Sequence, residues 1–383
     1  MSNRYDISVL VPTLNEEVTI EKFIISCKDG FKKLKLNGQI IIADSSTDNT
    51  PIIAKKMGAT VVHVKEKGLG KAYINAIPYV ESDYVILGDA DLTYDFANIG
   101  DFYSKLKDGY EFVVGNRFKG TIEKGAMPKS HQYFGSPATS FLLNLVFNTK
   151  AKDIHCGMRA ISLNALRKMN LVSESWQYAS EMIIKAKHLK IKTTEIPIKF
   201  YKDTEGRESN LKRIGFWAPW YAGWITIKTI FTWGISKLFV PIGLILILIS
   251  APFMISLYEG PIEFYGYSFS LHSMLLFSLI FHTGFQLFML GNISKLLYRI
   301  ETNTFVKKLL NFENAFIIFL IFVITAIIFI YPLFNLFFSN GMELPPQIKK
   351  ESYYAVTGIN MIFLGISIFI YSLLYNLIKT VYK

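Results

Sequence analysis

Apolar residues recur through the first two hundred positions as short runs set off by polar clusters. Ile7–Val11 ends at Pro12. Gln39–Ala43 lies between Asn37-Gly38 and Asp44-Ser45-Ser46, and Thr60–Val64, Tyr84–Leu87 and Glu111–Val114 repeat the pattern. Between and beyond these runs the sequence predicts helices near Glu16–Lys28, Thr50–Met57, Leu69–Val80, Phe96–Leu106 and Tyr178–Lys187. Strands alternating with helices predict a mainly parallel α/β sheet covered on both faces.

Past residue 237 the pattern changes. Leu238–Leu257, Leu271–Ser294, Ala315–Phe338 and Val356–Ile378 contain no Asp, Glu, Lys or Arg. Each is near or above the roughly 20 residues a helix needs to cross about 30 Å of hydrocarbon. The expected domains are therefore 1–210, a globular half; 211–237, an interfacial amphipathic helix; and 238–383, a four-helix transmembrane domain. Trp217, Trp220 and Trp224 fall at helical spacing beside Lys212, Arg213, Lys228 and Lys237, and aromatic rings next to basic chains suit the headgroup layer. The loop after the second span holds Lys295, Arg299, Lys307 and Lys308, whereas Glu259–Ser270 has no Lys or Arg. That asymmetry places the globular half and the C-terminus in the cytoplasm.

Composition sharpens the division. The chain has 383 residues, 51% hydrophobic and 19% charged, with a net charge of +11. Residues 238–383 hold eight Lys/Arg against six Glu and no Asp, a net of +2, which leaves +9 on the preceding residues. Disorder, a fibre, a disulfide scaffold and a single soluble domain are excluded. The basic half suits an anionic membrane surface and a polyphosphate; no basic run interleaved with aromatics points to nucleic acid. Cys27 and Cys156 lack disulfide or metal-ligand spacing. The N-terminal residues carry no signal-peptide pattern, so none is expected.

Polar residues gather where the strands end: Asn15-Glu16 after the first, Asp44–Asp48 after the second, Asp89-Ala90-Asp91 after the fourth. Open α/β sheets bind ligands at such ends. The Pro12–Glu16 turn lacks the Gly-x-Gly-x-x-Gly of a nicotinamide or flavin site, and Gly68-Leu69-Gly70-Lys71-Ala72 lacks the spacing of a phosphate-binding loop. That glycine pair reads equally as a ligand contact or a plain helix entry. In Asp89-Ala90-Asp91 the two carboxylates point the same way along the strand, as one hard divalent cation requires.

Val9-Leu10-Val11-Pro12-Thr13-Leu14-Asn15-Glu16-Glu17, Asp44-Ser45-Ser46-Thr47-Asp48-Asn49-Thr50 and Gly88-Asp89-Ala90-Asp91-Leu92 resemble the opening blocks of family 2 glycosyltransferases, whose fold is GT-A. Val114-Gly115-Asn116-Arg117-Phe118 and Cys156-Gly157-Met158-Arg159-Ala160 are similar to later blocks of the polyprenyl-phosphate hexose synthases in that family. The resemblance spans about residues 5–235. It implies a nucleotide-sugar site at Pro12, Leu14, Glu16, Asp44, Ser46, Asp48, Lys71, Asp89, Ala90 and Arg117. It implies Mg2+ or Mn2+ on Asp89 and Asp91, with Thr93 where mannose synthases carry Gln, and it gives Asp89, Asp91 and Arg117 the catalytic roles. His131, Arg159, Arg207, Ser209, Lys212 and Arg213 would hold the acceptor phosphate; the Gly206-Arg207-x-Ser209 pattern resembles the family's acceptor loop.

The expected reaction moves a hexose from UDP or GDP to undecaprenyl or dolichyl phosphate with inversion, in a membrane protein that is monomeric or oligomeric. Two rivals stay open. A processive polysaccharide synthase shares the domain plan but carries a Gln-x-x-Arg-Trp block absent here, and a lipid-linked-sugar translocator with a nucleotide sensor would make the membrane half the working part. Glu181 reads equally as a substrate-orienting group or an exposed helical acid, and His272 and His282 as helix-packing residues.

Overall fold

The structure, a computed structural model, describes residues 4–204, 218–297, 303–343 and 350–381. The chain divides into two compact units, Met1–Thr232 and Trp233–Lys383.

The first unit runs β1 (Ile7–Thr13), α1 (Ile20–Leu34), β2 (Gly38–Asp44), α2 (Thr50–Lys56), β3 (Thr60–His63), α3 (Leu69–Ala76), β4 (Tyr84–Leu87), α4 (Gly100–Lys107), β5 (Phe112–Ile122), α5 (Ser136–Phe147), β6 (Arg159–Ser162), α6 (Leu163–Met169), α7 (Gln177–His188) and β7 (Thr193–Phe200). The strands form one sheet in the order β3-β2-β1-β4-β6-β5-β7. β1 pairs in parallel with both β2 and β4, and β6 runs antiparallel to β4 and β5. The first five strands and the helices between them match the sequence pattern. β6 and β7 do not announce themselves in it, because Arg159–Ser162 has only two apolar residues, between Arg and Ser, and Thr193–Phe200 alternates polar and apolar positions around Pro197.

β1 is buried on both faces except at Pro12, the mark of a central parallel strand. Its polar Ser8 is satisfied inside the sheet, donating to Gln39 Oε1 at 2.7 Å and sharing a 2.7 Å bond with Ser82. Phe23, Phe96, Phe102 and Phe112 fill the layers between sheet and helices. Strand order reverses at β1, with β2 on one side and β4 on the other, and the carboxyl ends of these three strands open onto one edge.

In the second unit, α8 (Ala218–Ser256), begun in the first, is followed by the hairpin β8 (Ile262–Phe264) and β9 (Tyr267–Phe269), then α9 (Leu271–Leu297), α10 (Thr304–Leu309), α11 (Phe312–Ser339) and α12 (Lys350–Val381). α8, α9, α11 and α12 are long and apolar enough to cross a membrane, at the positions the charge-free windows mark. The expected interfacial helix and the first span are continuous: α8 runs unbroken past residue 237 and through Pro241 and Pro252. Trp224 on it is exposed; Trp217 and the side chain of Trp220 lie outside the described residues.

Two devices hold the membrane helices. Gly243 faces Gly284, where a Cβ would lie 2.5 Å from the Gly284 carbonyl oxygen, so small residues let the α8 and α9 backbones touch. Between α9 and α12, His282 Nε2 bonds Asn360 Oδ1 at 3.0 Å, Asn360 Nδ2 donates to Ser278 Oγ at 2.9 Å, and Gln286 Nε2 donates to Ser367 Oγ at 2.8 Å. In hydrocarbon such groups must satisfy one another, so His282 serves helix packing.

Candidate active site

The turns after β1 and β2 are laced together. Asn15, at a positive φ of 58°, donates its N–H to Ser46 Oγ at 2.8 Å and accepts from Thr47 N at 2.9 Å. Glu17 N donates to Asp48 Oδ2, while Asp48 Oδ1 accepts from Thr50 N and Oγ1 at the start of α2. Ser46 and Asp48, expected to touch the nucleotide, thus act as turn and helix-start acceptors. Glu16 is buried, accepts at Oε2 from Thr19 Oγ1 and donates its N–H to Thr50 Oγ1. Pro12 and Leu14 remain half-buried along the same edge.

Asp44 ends β2 with no exposure. Its Oδ1 accepts from Thr13 Oγ1 at 2.8 Å, directly across the β1–β2 register. Its Oδ2 is buried with no hydrogen-bond partner among the described residues. A buried carboxylate oxygen without a donor is costly, and an N–H brought in by a ligand removes that cost.

Asp89 and Asp91 follow β4 on either side of the buried Ala90. Asp91 Oδ1 accepts from Thr93 N at 3.0 Å and Thr93 Oγ1 at 2.5 Å. The Thr93 hydroxyl proton is therefore given to Asp91, so Thr93 braces that carboxylate while its oxygen keeps lone pairs for a cation. Leu92 between them sits at a positive φ of 65°, strain of the kind functional turns store. Tyr94, buried, accepts from Gly157 N at 2.9 Å, and a Cβ on Gly157 would lie 2.4 Å from Asp89 Oδ2. Glycine at 157 is what leaves the Asp89 carboxylate its place. Among the described residues no group of three or more His, Cys, Asp or Glu is disposed around a metal. The donor set is two hard carboxylates at an open edge, which fits Mg2+ or Mn2+ completed by substrate phosphates and water.

Three expected residues have partners within the protein. Arg117 closes its fork on Asp153, Nε to Oδ2 and Nη2 to Oδ1 both at 2.8 Å, with its backbone N–H on Oδ2 as well. Its charge is met inside the fold, and burial of Asp153 is outweighed by Arg117, which holds that carboxyl below its usual range. Arg159, expected at the acceptor phosphate, is 1% exposed and donates to the carbonyls of Cys156, Ala179 and Ile154, tying β6 to α7. Lys71 pairs with Glu66 and lies 3.7 Å from Glu174. His131 starts the turn before α5, and burial plus the nearby Arg117 charge lower its pKa. Arg207, Ser209, Lys212 and Arg213 lie outside the described residues.

Other contributors carry no motif of their own. Thr13 orients Asp44, and Tyr73 OH donates to Gly88 O at 2.7 Å, bracing the end of β4. His155, burial and Arg117 driving its pKa down to about 4, bonds Thr139 Oγ1 at 2.9 Å. Glu181 is fully buried, accepting from Val172 N, Ser173 N and Lys185 Nζ, so it is neither an exposed acid nor a group on the crevice. The run Asp153-Ile154-His155-Cys156 was the signal available for Asp153 and His155.

A mainly parallel sheet whose order reverses at β1, with acids at the ends of β2 and β4, defines a GT-A glycosyltransferase domain followed by membrane helices. Residues 8–169 match the glycosyl transferase family 2 model. The chain is 34% identical over 289 residues to the low-salt glycan biosynthesis hexosyltransferase Agl6 of Haloferax volcanii, covering 75% of this chain and 68% of that protein. It is 29% identical over 200 residues to the dolichyl-phosphate hexose transferase of the same organism, covering 51% of this chain and 82% of that one. Among solved structures it is similar to glucosyl-3-phosphoglycerate synthase from Mycobacterium tuberculosis in complex with Mn2+, UDP and glucosyl-3-phosphoglycerate, at 20% identity and a TM-score of 0.47 over 60% of this chain and 80% of that one. The chain belongs to glycosyl transferase family 2 and is a glycosyltransferase.

Proposed function

We propose that this glycosyltransferase moves a hexose from a nucleoside-diphosphate sugar to a polyprenyl phosphate in the membrane, with inversion at the anomeric carbon and with Mg2+ or Mn2+ on Asp89 and Asp91. The observation that carries the reading is the partnerless, buried Asp44 Oδ2 on the same sheet edge as those two carboxylates, in a chain with four membrane-length helices. The relatives named for hexosyl transfer and for dolichyl phosphate support the hexose and the lipid.

Asp44 receives an N–H of the donor's base at Oδ2 while Thr13 holds Oδ1. Pro12, Leu14 and Glu16 line the crevice beside it, and Lys71 is released from Glu66 and Glu174 to the donor. Asp89 and Asp91 would hold the cation, which would supply positive charge against the departing diphosphate. Thr93 and Gly157 keep the two carboxylates in place. A phosphate monoester is largely dianionic at neutral pH, its second pKa being about 6, so the acceptor attacks the sugar without a protein base, and one in-line displacement inverts the carbon. His131, neutral near pH 7, offers an N–H to the acceptor phosphate; Arg207, Ser209, Lys212 and Arg213 supply further donors and charge. Arg117, through its pair with Asp153, shapes the wall next to His131. The basic residues of the loop after the second span support a cytoplasmic catalytic unit.

The test is product analysis. Membranes holding the full chain are given labelled UDP- or GDP-hexose with undecaprenyl or dolichyl phosphate. A phosphate-linked hexosyl lipid of inverted configuration supports the reading. Transfer to a sugar hydroxyl or release of free hexose, with no lipid product from any pair, overturns it.

A further inference from the structure

One face of α5 faces solvent where a globular domain would bury it. Ser136, Ser140, Leu143 and Phe147 are buried. On the opposite face and the turn before it, Tyr133, Phe134, Phe141 and Leu145 are 66%, 78%, 68% and 69% exposed. Phe134, Phe141 and Leu145 stand at i, i+7 and i+11, one stripe of a helix, and large aromatic and aliphatic groups gathered in this way mark an interaction surface.

The surroundings of this stripe name its partner. Residues 124–152 contain no Asp or Glu, and Lys124, Lys129, Lys150 and Lys152 bracket the stripe at both ends. All four are exposed and make no ion pair among the described residues. An apolar face edged by lysines is the pattern of a helix lying in an anionic headgroup layer, rings inserted and ammonium groups on lipid phosphates. The chain's own membrane-length helices keep a bilayer at high effective concentration.

We propose that the Tyr133–Leu145 face is a second membrane contact, by which the catalytic unit docks on anionic lipid independently of α8. His131 opens the same segment, so docking brings this candidate phosphate contact to the depth where a lipid acceptor carries its phosphate. The proposal deepens the membrane reading above, yet its test reads depth rather than turnover, so it stands or fails separately from the transferase assignment.

The full chain is placed in nanodiscs of phosphatidylcholine with phosphatidylglycerol, and an environment-sensitive fluorophore is attached to Phe141→Cys, Leu145→Cys or, as a control, Ile52→Cys, which is exposed on α2. Cys27 and Cys156 are buried and stay unlabelled in the folded chain. Labels at 141 and 145 are expected to be quenched several-fold more by nitroxide lipids than the label at 52, and to be shielded from aqueous iodide. Iodide access at 141 and 145 equal to that at 52 overturns the proposal. Shielding that vanishes on dilution of the protein, without lipid quenching, also overturns it by assigning the face to a second copy.

Discussion

Asp89 Oδ2 lies 2.4 Å from the point a Cβ would occupy on Gly157. A methyl group there must displace the carboxylate, because Tyr94 blocks the other direction with its ring 3.2 Å away. Gly157→Ala is therefore expected to lower kcat/KM about a hundred-fold, the order that a displacement near 1 Å costs a reacting group. A thermal midpoint close to the parent's, measured alongside turnover, attributes the loss to the site.

Thr93 holds Asp91 through two bonds to one oxygen. Thr93→Val keeps the shape and removes the hydroxyl bond, so the concentration of Mn2+ giving half-maximal activity should rise roughly 10- to 100-fold, as when a group supporting a metal ligand is lost. An unchanged metal requirement would show that Thr93 has no part in it.

Asp44 presents one satisfied and one partnerless oxygen. Asp44→Asn turns an acceptor into a possible donor facing the base, so the KM for the sugar nucleotide should rise about tenfold or more while kcat at saturation falls less, in line with ~1–3 kcal/mol for a mispaired buried polar group. A fall confined to kcat would place Asp44 elsewhere in the cycle.

Arg159 donates to three backbone carbonyls from within the core. Arg159→Lys cannot span them and should cost at least about 2 kcal/mol of stability. If Arg159 instead gripped the lipid phosphate, the lysine variant would keep the parent's thermal midpoint and lose only acceptor affinity.

His155 has its pKa pushed to about 4 from an ordinary 6.5, by burial first and by Arg117 second. Between those values the unfolded chain takes up a proton that the folded chain refuses, so stability falls as pH drops from about 6.5 towards 4 and is flat above that window for this group. The slope approaches ~1.4 kcal/mol per pH unit within it. Thermal midpoints of the detergent-solubilised chain across this range should fall less steeply in His155→Gln. Equal slopes would assign the acid sensitivity to other groups.

The parts of this molecule legible in sequence are those where one residue type does one local job. Short, mostly apolar runs mark β1, β2 and β4 because central parallel strands are buried on both faces, and the absence of charge over membrane-length windows marks the four long helices. The place of Asp89 and Asp91, just past the end of β4, was legible because it needs only the strand before them. Arg117 and Arg159 were not: a guanidinium suits a phosphate and a buried carboxylate or carbonyl equally well, and the choice depends on Asp153 and on α7, 36 and 20 residues away along the chain. Glu181 was ambiguous for the same reason, since its partners are the backbone N–H groups of a loop that no side-chain motif marks. The exposed face of α5 has no mark in the sequence, since Phe and Leu suit a buried helix face as well as one that meets lipid.

The most direct measurement is calorimetric titration of UDP and GDP into the full-length chain, with Mn2+ and with chelator, in the parent and in Asp89→Asn and Asp91→Asn. One nucleotide should bind tightly only when metal is present, and either substitution should abolish the metal's contribution. Binding that is indifferent to chelator, and undiminished in both variants, would contradict a cation shared between Asp89 and Asp91.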